Sequence, residues 1–352
     1  MPVLAPGRGR AAIALPRWRA ALTDHVASLA VAPGGALVAA GSLGGDSVVL
    51  DSLTGTVVAT LPAHPLGVLS LAWSPDGAVV AAGGQDGRVT LWDRAARGAA
   101  TVELPGWVTS VAWSPDSRLL AAAGGREVAV ITAGGEVVSR HDGHASTVTS
   151  VCWAPAGGRL AAACYGGIRW YQPASRGESP VAELPWKGSI LVVAISPDGR
   201  WLASGNQDST SRVWELSTGE DLEMSGYPAK VERLAWEHRG RDLAVASNEI
   251  VMVWHCGGSG PEGTRPEVLE THTDRITDLA YQPSGPLLAT VGRDGVAAVW
   301  QPERRRRPVR ALATGTPLSC VAWAGDHALV AGTANGAVLR LHLEAGARAA
   351  RR

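Results

Sequence analysis

The 352-residue chain contains no phenylalanine, three methionines and four cysteines. Its only lysines are Lys187 and Lys230, so almost all of its positive charge is arginine. Lys+Arg and Asp+Glu both total 32, and the formal net charge is zero. Without surplus charge there is no electrostatic case for a nucleic acid or an anionic membrane as a general partner. Cys152, Cys164, Cys256 and Cys320 lie far apart with no CxxC pair. That spacing suggests reduced, mostly buried thiols in an intracellular protein rather than a zinc knuckle or a disulfide scaffold. No segment reaches the roughly 18 uncharged apolar residues that a membrane helix needs. The run "AAIALP" (11–16), after Arg8 and Arg10, is too short for a signal peptide and is broken by Pro16. A cytoplasmic location is expected. Neither a GxxxxGK phosphate loop nor a dinucleotide fingerprint occurs, so no cofactor is expected.

What the chain has in quantity is glycine (43) and proline (22), and many of them sit in one returning phrase. "LAWSPDG" (71–77) comes back as "VAWSPDS" (111–117), "VAISPDG" (193–199) and "LAYQPSG" (279–285). With the tryptophan of "AWSPDG" as anchor, the series is Val31, Trp73, Trp113, Trp153, Ile195, Trp236, Tyr281 and Trp323. The spacings are 42, 40, 40, 42, 41, 45 and 42, which defines eight copies of one unit.

Each copy reads as four short strands. In copy two, "VLSLAW" (68–73) alternates and meets the turn "SPDG"; "AVVAAGG" (78–84) follows, then the tight turn "QDG" (85–87). "RVTLWD" (88–93) is a third strand and "ATVEL" (100–104) a fourth. Alternation punctuated by Pro, Asp and Gly marks antiparallel sheet. Such a sheet cannot bury both faces alone, whereas radial stacking of copies buries them and leaves few open edges.

These residues resemble the WD-repeat β-propeller family, whose third strand typically ends in Trp-Asp, as "LWD" (91–93) does. "VWE" (213–215), "VWH" (253–255) and "VWQ" (299–301) echo it. The resemblance covers the chain from about residue 17 and implies an all-β propeller of four-stranded antiparallel blades. Copy eight, ending near residue 344, supplies only three strands. The family's usual closure, an N-terminal strand in the last blade, is implied for "RWRAALT" (17–23), which resembles "PVRALAT" (308–314). The expected organisation is one domain: a tail over 1–16, the closing strand over 17–23, eight repeats over 24–344 and a basic tail over 345–352. Eight blades are therefore expected. The alternative is seven blades, with one degenerate copy outside the ring.

Some recurring residues imitate catalytic machinery. In copy seven they are His272, Thr290, Asp294 and Trp300; in copy two, His64, Asp86 and Trp92, with Ala82 in the hydroxyl position. Copy five keeps Ser204, Asp208 and Trp214 but has Trp186 in the histidine position; copy four has His144 without the Asp, and copy six has Tyr227. The resemblance implies a structural hydrogen-bonded chain at these positions. A buried carboxylate needs donors, and imidazole, hydroxyl and indole can supply them. No catalytic residue is assigned. "HDGH" (141–144) offers two histidines and an aspartate, but His144 is in the structural position and no further ligand is near in sequence, so no metal site is assigned.

Function is then sought where the copies differ. Six residues before each anchor the copies read His25, Gly67, Trp107, Thr147, Ser189, Lys230, Arg275 and Pro317. Tight-turn positions add Gln85, Gln207, Arg293, Arg126 and Tyr165. In the family, loops on this top face usually take peptides and protein partners. The expectation is a non-enzymatic, monomeric scaffold whose partner-binding residues are His25, Trp107, Lys230, Arg275, Arg126, Arg293, Gln85 and Gln207. Aromatic, cationic and amide groups together suit an interface, and the cations suit an acidic or phosphorylated segment. One alternative is an enzyme or a ligand- or metal-binding propeller that uses the central channel or the top face. Another is a nucleic-acid adaptor using the basic loop Arg304 to Arg307 within "PERRRRPVR" (302–310). The longest insert, "HCGGSGPEGTRPEV" (255–268), is Gly/Pro-rich and is expected to be a mobile loop without packed structure.

Overall fold

In the computed structural model, residues 17–343 are described except 96, 97, 174–178, 303 and 305. The expected tails, 1–16 and 345–352, and Arg305 of the basic loop lie outside the described residues. Every alternating segment becomes a short antiparallel strand. In copy two the four are Val68–Trp73, Val79–Gly84, Arg88–Asp93 and Ala99–Glu103, hydrogen-bonded in that order. Gly87 closes the tight turn with φ 76°, and a Cβ there would stand 2.8 Å from the Leu104 carbonyl. Only glycine fits that close approach in a left-handed conformation.

The strands form seven hydrogen-bonded sheets, six of four strands and one of six. Counted this way the propeller has seven blades, which corrects the expectation of eight in favour of the alternative. The cause is not a copy left outside. Copies four and five share the six-stranded sheet through one 14-residue strand, Ala182–Ile195. Its pairing with copy four extends to Tyr165–Ser189, and its pairing with copy five begins at Ile190–Asn206. With no turn between the two ladders, the sheet does not break. The inner strands of all eight copies pack on one another in order, and Leu318–Trp323 returns to Val26–Val31.

The core lies between successive blades. Val89 and Leu91 of copy two pack with Val111, Trp113 and Leu120 of copy three. The anchor explains the recurring phrase, because its indole reaches back to the preceding copy. Trp73 donates to the Ala30 carbonyl, Trp113 to Ala72, Trp153 to Ala112, Trp236 to Ala194 and Trp323 to Ala280, at 2.9–3.2 Å. A second clasp sits three residues before the anchor. Ser28, Ser70, Ser110 and Ser150 each accept the N–H of the next inner strand.

The ring closes at the N-terminus. Arg19–Ala21 pairs antiparallel with Ala337–His342 and completes the last four-stranded sheet. The insert departs from expectation: its N-terminal half is packed rather than loose. Pro261 and Gly260 are buried, Trp201 donates to the Cys256 carbonyl, and Arg200 donates to the Gly258 carbonyl. The indole of copy five and its neighbouring guanidinium anchor the glycine-rich backbone.

Candidate functional site

Copy seven holds the complete buried chain. His272 Nδ1 lies 3.0 Å from Asp294 Oδ2, its Nε2 lies 2.8 Å from Thr290 Oγ1, and Trp300 donates to that hydroxyl at 2.9 Å. Asp294 also accepts the N–H groups of Thr273 and Val296. One proton order satisfies everything: indole to hydroxyl, hydroxyl to Nε2, and Nδ1–H to carboxylate. Thr290 is fully buried and its proton is committed, so it cannot serve as a nucleophile.

Other copies hold parts of this chain. In copy two, His64 Nδ1 lies 3.0 Å from Asp86, but Ala82 replaces the hydroxyl. His64 Nε2 and Trp92 Nε1 are buried and meet no hydrogen-bond partner among the described residues. Copy four substitutes Tyr171 for the indole: its hydroxyl lies 3.0 Å from His144 Nε2, while His144 Nδ1 donates to the Arg126 carbonyl at 3.1 Å. Burial pushes His144 below its ordinary pKa, so it is held neutral. Copy six inverts the pair, with Trp254 donating to the Tyr227 hydroxyl at 2.8 Å. Copy five corrects its expectation. Ser204 bonds to Asn206, Asp208 takes the N–H and hydroxyl of Thr210, and Trp186 carries the Arg212 guanidinium 4.1 Å above its ring. Ser204, Asp208 and Trp214 therefore do not form the chain seen in copy seven. In "HDGH", His141 stacks on Tyr171 at 4.1 Å. No group of three or more metal-ligating side chains occurs among the described residues.

The top face divides into two arcs. Backbone hydrogen bonds tie each tight turn to the next inter-copy loop: His64 to Gly45, Leu104 to Gly87 and Val148 to Gly125. Along this continuous rim, copies one to four expose apolar side chains. Leu66 is 60% exposed, Trp107 59%, Tyr165 51% and Leu43 37%. Beside Tyr165 a cavity of about 100 Å³ is lined by Ala145, Gly166, Gly167, Leu184 and Pro185, among others. Of the expected residues here, His25 and Gln85 are half-buried, and Arg126 is exposed although its Nε donates to the His144 carbonyl at 2.6 Å.

Copies five to seven carry charge instead. Gln207 and Arg293 are exposed, and Arg293 makes no ion pair among the described residues. Lys230 and Arg275 are half-buried and already engaged: Glu232 Oε1 lies 2.9 Å from Lys230 Nζ, and its Oε2 pairs with Arg275. Burial, and secondly the charge of Arg293, lowers the Arg275 pKa. Glu232 is not among the expected residues, although the anchor spacing could have found it. It stands four residues before Trp236, where copies three, four, seven and eight have Thr109, Thr149, Thr277 and Ser319. Those hydroxyls donate to the next copy's carbonyls. On the opposite face Arg304, Arg306 and Arg307 are exposed, between Val296–Trp300 and Arg310–Ala313.

A family model described as "WD domain, G-beta repeat" matches residues 55–93, 100–130, 135–171, 178–215 and 263–301, just over half of the chain. Among curated proteins, Protein HIR1 of Cryptococcus neoformans is 28% identical over 149 residues, 35% of this chain and 17% of its own length. Nuclear distribution protein nudF of Aspergillus terreus is 29% identical over 163 residues, 39% of this chain and 35% of that protein. THO complex subunit 3 of Arabidopsis thaliana is 28% identical over 144 residues, 39% of this chain and 44% of that protein. The matched region thus spans less than half of each of these relatives. Among solved structures, the C-terminal WD40 domain of Sif2 superposes with a TM-score of 0.80 at 17% identity, covering 96% of this chain and 100% of that one. A computationally designed protein, Ika8, gives 0.78 at 22% identity, covering 95% and 100%. At these identities the likeness establishes the fold.

Proposed function

The chain belongs to the WD40-repeat family, and on that premise we propose that it is a non-enzymatic scaffold that binds a protein or peptide partner on its top face. The observation that carries this reading is the apolar arc of Leu43, Leu66, Trp107 and Tyr165 on neighbouring loops of copies one to four. Large aromatic side chains displayed on a stiff support lose little freedom on binding, which is what an interface anchor needs. The buried hydrogen-bonded chains supply the stiffness. A relative named as a subunit of the THO complex supports a role in a protein assembly.

The partner segment is proposed to place an apolar side chain against Trp107 and Tyr165, and acidic or phosphorylated groups toward Arg126 on one side of the ring and toward Lys230, Arg275 and Arg293 on the other. Gln85 and Gln207 are proposed to hydrogen-bond its backbone. The four unpaired cysteines support a reducing, cytoplasmic setting. A photo-crosslinking residue in place of Trp107 tests the reading: it should label a protein partner in native-host lysate, and the same probe at Val58, on an outer strand, should not. Equal labelling from both positions would contradict it.

A further inference from the structure

The mouth of the channel at copies six and seven is built like a carboxylate-binding site. Lys230 lies three residues before the inner strand of copy six (Arg233–Trp236) and Arg275 one residue before that of copy seven (Ile276–Tyr281), each six residues before its anchor. Glu232, between them on the channel wall, gives one oxygen to each. Arg293 is tied to the same place, its backbone N–H donating to the Arg275 carbonyl at 2.9 Å, and its charge is felt at Arg275. Two cations therefore hold one carboxylate, and a third lies beside them in the next turn. Asp274 and Glu249 lie nearby in the chain and make local contacts: Asp274 takes the Arg275 N–H, and Glu249 takes the Asn248 amide. Arg233 and Asp278 form their own pair at 3.6 Å.

Glu232 also takes a position that carries a hydroxyl in four copies and Ala27, Leu69 or Leu191 in three others, and is the one charged residue there. The hydroxyl clasp that joins copies three to four, four to five, seven to eight and eight to one needs a donor at this position. A carboxylate cannot donate, so here Glu232 pairs with Arg275 across the seam, while Arg233 supplies the donor, its Nε bonding the Thr277 carbonyl at 3.0 Å. Half-exposed pairs of this kind are weak, because water competes for both charges. An arriving carboxylate or phosphate can therefore take the cations over at small cost.

We propose that Lys230, Arg275 and Arg293 form the subsite for the partner's acidic group, and that Glu232 is its built-in competitor, setting how strongly that group is held. This rests on the proposed top-face function and assigns the acidic contact to a defined place. Glu232 acts as a specificity-determining residue: it weakens every anion, and only a segment that also uses the apolar arc binds in spite of it.

The experiment uses the full chain and a fluorescein-labelled glutamate-rich peptide, followed by anisotropy at low and high salt. Glu232→Gln should bind the peptide roughly tenfold more tightly at low ionic strength, the size of one screened charge contact, and the gain should vanish at high salt. Arg293→Glu in the Glu232→Gln background should remove the gain. A phosphorylated peptide of equal charge separates the two anion chemistries, and tighter binding of either supports the subsite. An unchanged affinity in Glu232→Gln, with the thermal midpoint preserved, overturns the inference. If Trp107-dependent capture persists in that case, the top-face function stands without it.

Discussion

Trp300 donates its indole proton to Thr290 at 2.9 Å, deep between the blades of copies six and seven. The matching indole of copy two, Trp92, shares its core cluster with Ala82 and has no acceptor among the described residues. Two copies of one unit thus differ by a threonine-for-alanine exchange, and so by one hydroxyl and one methyl, at the centre of an otherwise repeated arrangement.

Removing and adding that hydroxyl should have opposite effects. Thr290→Ala leaves both His272 Nε2 and Trp300 Nε1 buried without a partner, a loss of about 1–3 kcal/mol. Ala82→Thr supplies the acceptor and donor that His64 and Trp92 lack, and should stabilise by about 1 kcal/mol. Chemical denaturation reads both as midpoint shifts of opposite sign with unchanged slope.

The indole clasps predict a distributed contribution to stability. Trp113→Phe keeps most of the ring but deletes the bond to the Ala72 carbonyl, and should cost about 1–2 kcal/mol. The same change at Trp107, an exposed position, should leave stability within about 0.5 kcal/mol. A pair of melting curves decides the point.

Acid should weaken the fold in two stages. His144 is depressed by burial below its ordinary value of 6.5, so the unfolded chain takes up a proton that the folded chain refuses. Stability therefore falls as pH drops below about 6.5, and His144→Gln should flatten this part of the profile. Asp294 is also depressed from 3.8: burial opposes this, but the His272, Val296 and Thr273 hydrogen bonds outweigh it. Its contribution is present above about pH 4 and is lost as pH falls through the folded value.

Thiol chemistry should report the packing. Burial pushes Cys256 and Cys320 up to about 12, so neither offers a thiolate near neutral pH. An alkylating reagent should modify them only on unfolding, at a rate that follows denaturant. Rapid labelling of the native chain at either position would contradict the described core.

The architecture was legible because its determinants repeat. The anchor and the "SPDG" turn occupy fixed register positions, and each has one physical role. The indole clasps the previous blade, and the Ser–Asp pair caps the turn. The sheet count was not legible. Fusion of copies four and five depends on how two ladders meet at Ser189 and Ile190, and a 42-residue spacing between anchors gives no sign of it. The insert misled for a related reason: composition marks Gly260 and Pro261 as loop residues but does not reveal the Trp201 surface they rest on.

At the candidate site, Trp107, Arg126 and Arg293 stood out because they break the repeat at exposed positions. Lys230 and Arg275 stood out equally, but their compensation by Glu232 depends on side-chain reach across two copies. Leu43 and Leu66 do not stand out in the sequence, because an isolated leucine in a loop is ordinary. Their neighbours in space make them an arc.

Partner capture from the native host tests the central claim most directly, comparing the unchanged chain with a Trp107→Ser, Tyr165→Ser double variant of equal thermal stability. At least one protein held by the unchanged chain should be lost from the variant. Recovery of the same proteins in the same amounts from both would contradict a top-face binding site.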